Sequence, residues 1–168
     1  MDFRNIFIIG SMGCGKTSIG KILAKNNNLS FLDTDHEIIR SSGYSIPDIF
    51  EKFGEEYFRG LESEQLIKMN TIRNHVISTG GGIVLRHNNI GLIKELGHVI
   101  FLDINISCQI ERVRNRKNRP LLNDKDLEDN LISLKKVRDP IYKKVSNYII
   151  DVSGKEKSQI IREIQKII

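Results

Sequence analysis

The sequence predicts an α/β fold, in which an open, mostly parallel sheet of five strands carries helices on both faces as a three-layer α/β/α sandwich. Three observations point there. Five short apolar runs, at Asn5 to Ile9, Phe31-Leu32, His75 to Ser78, Val99 to Leu102 and Tyr148 to Ile150, alternate with stretches of helical period. The first run is continuously apolar and β-branched rather than alternating, the pattern of a strand covered on both faces. A glycine-rich segment links that run to the first helical stretch, at the carboxyl end of a strand, where open α/β sheets bind ligands. Strand and helix in alternation, joined by right-handed crossovers, give the layered sheet.

Taken in order, Asn5-Ile6-Phe7-Ile8-Ile9 ends at Gly10, and from Lys16 the spacing Ile19, Ile22, Leu23 predicts a helix that stops in Asn26-Asn27-Asn28. The second strand ends in Phe31-Leu32-Asp33-Thr34-Asp35, and strand alternation predicts both carboxylates on one side, at the mouth of the glycine loop. Ser45 to Asn70 reads as helix, with Ser45 and Asp48 as a capping-box-like start and Gly54 as a break between two pieces. Gly80-Gly81-Gly82 follows the third run, where side chains would obstruct a ligand approaching the strand end. Leu127 to Val145 also reads as helix, which Pro140 is expected to kink or interrupt. Ile160, Ile161, Ile164, Ile167 and Ile168 form a one-sided stripe that should pack on the sheet.

Composition bounds the class. The 168 residues, 39% hydrophobic and 28% charged, suit one globular domain spanning 1–168 with a core that needs no disulfide or structural metal. The two cysteines, Cys14 and Cys108, lack any zinc-like spacing, and the apolar run at Ile6 to Ile9 is too short for a signal or a membrane span. A cytoplasmic, monomeric protein without membrane association is expected. The net charge of +5 is concentrated at Arg112, Arg114, Arg116, Lys117 and Arg119, with no aromatic among them to stack on bases. Phosphate binding explains this stretch better than nucleic acid does, and a plain solvated charge run is the alternative. His36, His75, His87 and His98 share no metal-ligand spacing.

Gly10-Ser11-Met12-Gly13-Cys14-Gly15-Lys16-Thr17 fits G-x-x-x-x-G-K-[ST] in full, directly after a strand and opening a helix. In such a loop successive N–H groups turn inward onto the β- and γ-phosphates of a nucleotide. Gly13, Cys14, Gly15, Lys16, Thr17 and Ser18 are therefore the expected phosphate-binding residues, with Lys16 the mobile charge and Thr17 a ligand for Mg²⁺. Cys14 contributes only its backbone. Its thiol is a small filler near a positive helix terminus.

The loop GSMGCGKT followed by LDTD, Phe58-Arg59 with Glu62, the triple glycine, Arg119-Pro120-Leu121-Leu122, and Arg138 before Tyr142 resembles the shikimate kinase family over nearly the whole chain. The resemblance implies strand order 2-3-1-4-5, a substrate-binding region at 33–61 and a mobile lid at 113–126. It implies ATP and shikimate as ligands and transfer of the γ-phosphoryl group to the shikimate 3-hydroxyl. By the same resemblance Asp33 helps hold Mg²⁺, largely through water, while Asp35 accepts hydrogen bonds from substrate hydroxyls and serves as candidate base. Arg59 and Arg138 match the pair that grips the substrate carboxylate, for which a planar guanidinium fork is suited. Glu62 would hold Arg59, Gly80, Gly81 and Gly82 would meet the substrate, Arg112 would stack on adenine, and Arg119 would be the catalytic arginine of the lid. Taken alone, Arg59 could instead be a surface partner of Glu55, and Arg138 a solvated position on a basic helix face. A gluconate-type or nucleoside-monophosphate-type kinase shares the loop and lid without the full set of Arg59, triple glycine and Arg138. A nucleotide-binding switch protein is the alternative of another class, although no guanine-specific NKxD motif is present.

Overall fold

The computed structural model describes residues 5–115 and 124–168, with the side chains of 124 and 125 excepted. Five parallel strands, β1 (Asn5–Ile9), β2 (Ser30–Asp33), β3 (His75–Ser78), β4 (Gly97–Asp103) and β5 (Tyr148–Asp151), form one sheet in the order β2-β3-β1-β4-β5. This is the predicted topology. The central strand β1 runs beside both β3 (Phe7 opposite Ile77) and β4 (Phe7 opposite Val99).

All five residues of β1 are buried, because successive side chains feed two different cores. Ile6 and Ile8 meet α1 (Lys16–Asn26) and α7 (Lys157–Gln165) through Ile19, Leu23, Ile160, Ile161 and Ile164. Phe7 and Ile9 face the other layer, where α3 (Ile46–Lys68), α4 (His87–Leu96) and α6 (Asp124–Val145) supply Leu66, Ile93 and Tyr142. Each such side chain, fully buried, contributes about 1.5–3 kcal/mol. Among the described residues no helix is long and apolar enough to cross a membrane.

Several local expectations are corrected. Strand β2 stops at Asp33, and Thr34 opens α2 (Thr34–Ser42), so Asp33 and Asp35 do not share a strand face. Asp33 is the N-cap of α2, its side chain accepting a hydrogen bond from the Asp35 N–H, and Asp35 stands in the first turn. Capping thus outcompetes strand extension at the DTD segment. In α3, Ser45 caps as expected, and Gly54 breaks the helical path at φ 81°, ψ 172°. Pro140 does not interrupt α6; it lies on an exposed face together with Lys136, whose carbonyl has no N–H to accept from at Pro140. Helix α5 (Ile106–Arg114) carries Val113 and Arg114, and residues 124–126 open α6, so both ends of the predicted lid, 113–126, are helical. The rest of that segment, with Arg119, lies outside the described residues.

The start of the sheet is set by a side-chain bridge on one flank of β1 and a bare backbone contact on the other. Asn5, fully buried, donates from Nδ2 to the Ile72 carbonyl at 3.0 Å and accepts the His75 N–H at 3.2 Å, tying β1 to β3. On its other flank, Gly97 approaches so closely that a Cβ there would overlap the Asn5 main-chain carbonyl, which cannot rotate away. Gly97→Ala should therefore cost about 2 kcal/mol by overpacking, read in thermal denaturation as a Tm lower by roughly 4–8 °C for a domain of this size. Gly91→Ala, on α4 with open space around it, should leave Tm unchanged or raise it.

Candidate active site

The carboxyl ends of β1, β2 and β3 converge on one cleft, lined by Met12, Gly13, Gly15, Lys16, Thr17, Ser18, Asp33, Asp35, Ser78, Thr79, Gly81 and Arg138. Its floor is the glycine loop. Gly13 and Gly15 hold φ of 83° and 100°, left-handed values that turn the backbone inward, and Gly15 caps α1 without any side chain over its first N–H groups. Those donors and the helix dipole make an anion site. The Lys16 ammonium folds back over the loop, donating to the carbonyls of Gly10 at 2.8 Å and Ser11 at 3.0 Å. Gln109 of α5, almost wholly buried, braces the loop from outside by donating to the Met12 carbonyl at 3.0 Å.

Thr17 Oγ1 donates to Asp33 Oδ2 at 2.8 Å, bringing one hydroxyl and one carboxylate oxygen together beside the loop. Such an oxygen-only pair suits a hard divalent cation that takes its remaining ligands from phosphates and water. Asp35 stands next to it. Burial raises its carboxyl above the ordinary value and the Asp33 charge adds to this, while Lys16, His36 and Arg59 oppose it. Asp35 Oδ1 is buried with no hydrogen-bond partner among the described residues.

The triple glycine lets charged groups press against the main chain. A Cβ on Gly80 would come within 2.6 Å of Glu62 Oε1 and 2.8 Å of Asp35 Oδ1, and one on Gly82 would overlap the Arg59 guanidinium. The Gly80 N–H donates to Thr34 Oγ1 at 3.0 Å, and the Gly81 carbonyl accepts from the Tyr142 hydroxyl. Arg59 is buried, donating from Nη1 to Glu62 at 2.7 Å and from Nη2 to Glu55 at 2.8 Å. It is thus both the partner of Glu55 and part of the site's back wall, behind Asp35 and Gly82, and does not itself line the cleft. Burial pushes the Glu62 carboxyl up, with Arg59 opposing. Arg138 lines the cleft directly, and its Nε is buried without a hydrogen-bond partner among the described residues.

A second cavity lies across the loop, against Gly13, Cys14, Gly15 and Ser18, with Arg112, Asn115, Lys155, Glu156, Lys157 and Ile160 around it. Arg112 is held there by donating to the Val152 carbonyl at 2.9 Å, so the segment after β5 and the arginine share one wall. Of the expected site residues, the cleft gathers Gly13, Gly15, Lys16, Thr17, Ser18, Asp33, Asp35, Gly81 and Arg138. Gly80, Gly82 and Arg59 back it, Cys14 and Arg112 face the second cavity, and Arg119 is outside the described residues.

Sequence reasoning did not single out Thr34, Ser78, Thr79 or Gln109. Their adjacency to the DTD segment and the triple glycine was a signal for the first three; Gln109 has none, since its contact spans 97 positions.

Known proteins bear on this arrangement directly. A family model described as shikimate kinase matches residues 12–168. Shikimate kinase of Caldanaerobacter subterraneus subsp. tengcongensis is 40% identical over 161 residues, covering 96% of this chain and 94% of its own length. The structure of shikimate kinase from Acinetobacter baumannii, solved in complex with shikimate, superposes with a TM-score of 0.91 at 38% identity, covering 98% of this chain and 92% of that one. That of Aquifex aeolicus gives 0.84 at 37% identity over 96% and 94%. Sequence and backbone agree from the glycine loop to the last helix, and this chain belongs to the shikimate kinase family.

Proposed function

We propose that this chain transfers the γ-phosphoryl group of MgATP to the 3-hydroxyl of shikimate, giving shikimate 3-phosphate and ADP, a step of aromatic amino acid synthesis through chorismate. The observation that carries the reading is the single cleft in which the phosphate loop, a buried carboxylate and an arginine with an open buried donor face one another. The whole chain, 1–168, works as one cytoplasmic kinase domain whose ATP and acceptor sites both lie on the same chain, so a monomer suffices. Residues 33–61 serve the acceptor, and the lid covers both ligands.

The loop N–H groups and Lys16 hold the β- and γ-phosphates; Lys16 exchanges the carbonyls of Gly10 and Ser11 for phosphate oxygens. Mg²⁺, held by Thr17 and by Asp33 largely through water, would offset the charge shared between those phosphates. Asp35 orients the attacking hydroxyl and takes its proton; a carboxyl raised by burial is the better proton acceptor. Arg138 clasps the substrate carboxylate, and Arg59, whose two remaining N–H donors are not engaged by Glu55 or Glu62, completes the grip. The backbone of Gly80 to Gly82 lies against the ring. Arg112 stacks on adenine in the second cavity, and Arg119 brings a charge to the transferring group, as the family resemblance implies.

Turnover with MgATP should depend on shikimate, with gluconate and AMP giving no ADP release above background in a coupled assay; equal rates with either would remove shikimate as acceptor. Asp35→Asn should lower kcat by about 10²–10⁴-fold, the range of general-base contributions, with both KM values little changed; single-turnover rates check that the chemical step is the one slowed. Arg138→Ala should raise KM for shikimate by at least about tenfold while leaving KM for ATP near its original value. Steady-state kinetics with each substrate varied separate these, and equal effects on both would count against a carboxylate clamp.

A further inference from the structure

Ile106, Gln109, Ile110 and Val113 recur along one face of α5 at helical spacing. The three apolar members join Met12, Leu127 and Leu131 in one cluster, so the stripe asks for an apolar side chain at 109 as well. Gln109 is instead polar and only 1% exposed. Of its amide the donor half alone is used: Nε2 meets the Met12 carbonyl at 3.0 Å, while Oε1 is buried with no hydrogen-bond partner among the described residues. A buried polar group that is half satisfied costs stability, so packing does not account for a glutamine here.

What the bond fixes is the plane of one peptide. Ser11 to Cys14 form a turn in which the Cys14 N–H donates to the Ser11 carbonyl at 3.4 Å, and Met12 and Gly13 are its central residues. Gly13 at φ 83° fits the type II form. The type I form of the same turn differs mainly by a flip of the Met12-Gly13 peptide, which a glycine at that position permits at little steric cost. A trans peptide holds its carbonyl and its N–H on opposite sides. Gln109 stands outside the cleft, on the α5 side of the loop where Gly13 also approaches Val113, and draws the Met12 carbonyl that way. The Gly13 N–H therefore faces away from α5. It donates to no group among the described residues, and Gly13 lines the cleft. After a flip, a carbonyl oxygen would take the place of that N–H, and it would repel an anion.

We infer that Gln109 is a positioning residue for the nucleotide: by holding the Met12 carbonyl outward, it keeps the Gly13 N–H turned toward the phosphates. This rests on the reading of the loop as the MgATP site given above. Without the amide donor, the Met12-Gly13 peptide is free to turn over, and nucleotide binding has to draw on the fraction of molecules in which the N–H still faces the cleft. The loss falls on the nucleotide rather than on the acceptor, since Gln109 touches the loop and none of Asp35, Gly81 or Arg138.

The test compares Gln109→Met, Gln109→Leu and Lys16→Ala with the parent, reading KM for each substrate, kcat, Tm and equilibrium binding of ADP without an acceptor. Gln109→Met keeps the length of the side chain and lacks the donor. It should weaken ADP binding and raise KM for ATP by about tenfold, the size of one hydrogen bond, with KM for shikimate within about twofold of the parent. Both variants suit the apolar stripe, so Tm should stay near that of the parent. Gln109→Leu, of another shape but equally without a donor, should show the same split and keeps the test open if the methionine variant does not fold. Unchanged ADP affinity in both variants overturns the proposal, as does a parallel loss of kcat, both KM values and Tm, which is what loosened packing of α5 would give. If Lys16→Ala weakens ADP binding while Gln109→Met does not, only the role of Gln109 falls; if Lys16→Ala binds ADP like the parent, the phosphate-loop reading itself falls.

Discussion

Close approach of charged side chains to a backbone that has no side chains of its own is the constraint on which the site depends. Gly80 and Gly82 leave room for Asp35, Glu62 and the Arg59 guanidinium, all pressed against the turn that follows β3. With a methyl group at either position, the carboxylate or the guanidinium would have to withdraw, and α3 with it. Burying these charges is costly, and only their mutual pairing makes the arrangement tolerable. Arg59 bonded to Glu62 at 2.7 Å is that pairing, and Phe58 supports it by placing its ring under the guanidinium, 5.3 Å from the ring centre. The fixed sheet edge, the glycine turn and the charged layer thus act as one unit, and the cleft is what remains between them and the phosphate loop.

Much of this was legible in the sequence because its cause is local. The phosphate loop needs a strand before it, glycines within it and a helix after it, and those needs are written into nine or so consecutive positions. The five strands and their order followed from apolar runs and from resemblance to a known family. What the sequence did not show depends on competition between local options or on contacts across the chain. Asp33 and Asp35 fit strand alternation equally well as letters, yet Asp33 can satisfy the Asp35 N–H at 3.1 Å only if the helix starts there. Arg59 was open between a surface pair with Glu55 and a functional role; it is buried and pairs with Glu55 and Glu62 together, since α3 spacing brings both carboxylates to the same guanidinium. Thr34 meeting Gly80 and Gln109 meeting Met12 join positions 46 and 97 apart, for which one sequence carries no signal.

The cations in and behind the cleft differ in how far the protein already satisfies them. Lys16 is held by two main-chain carbonyls, which are neutral and can be given up to a phosphate oxygen at little cost in hydrogen bonds while a charge is gained. Arg59 is committed to two carboxylates and is the least able to move, which fixes the wall behind Asp35 and Gly82. Among the described residues, Arg138 alone of the three has a buried nitrogen with no hydrogen-bond partner at all. On the reading proposed above, that donor is free to meet an acceptor entering the cleft, and a charged acceptor makes the stronger bond with it. If the clamp proposed above is Arg138, an acid gains more at this nitrogen than a neutral polyol does, because the guanidinium bond to a carboxylate is charge-assisted.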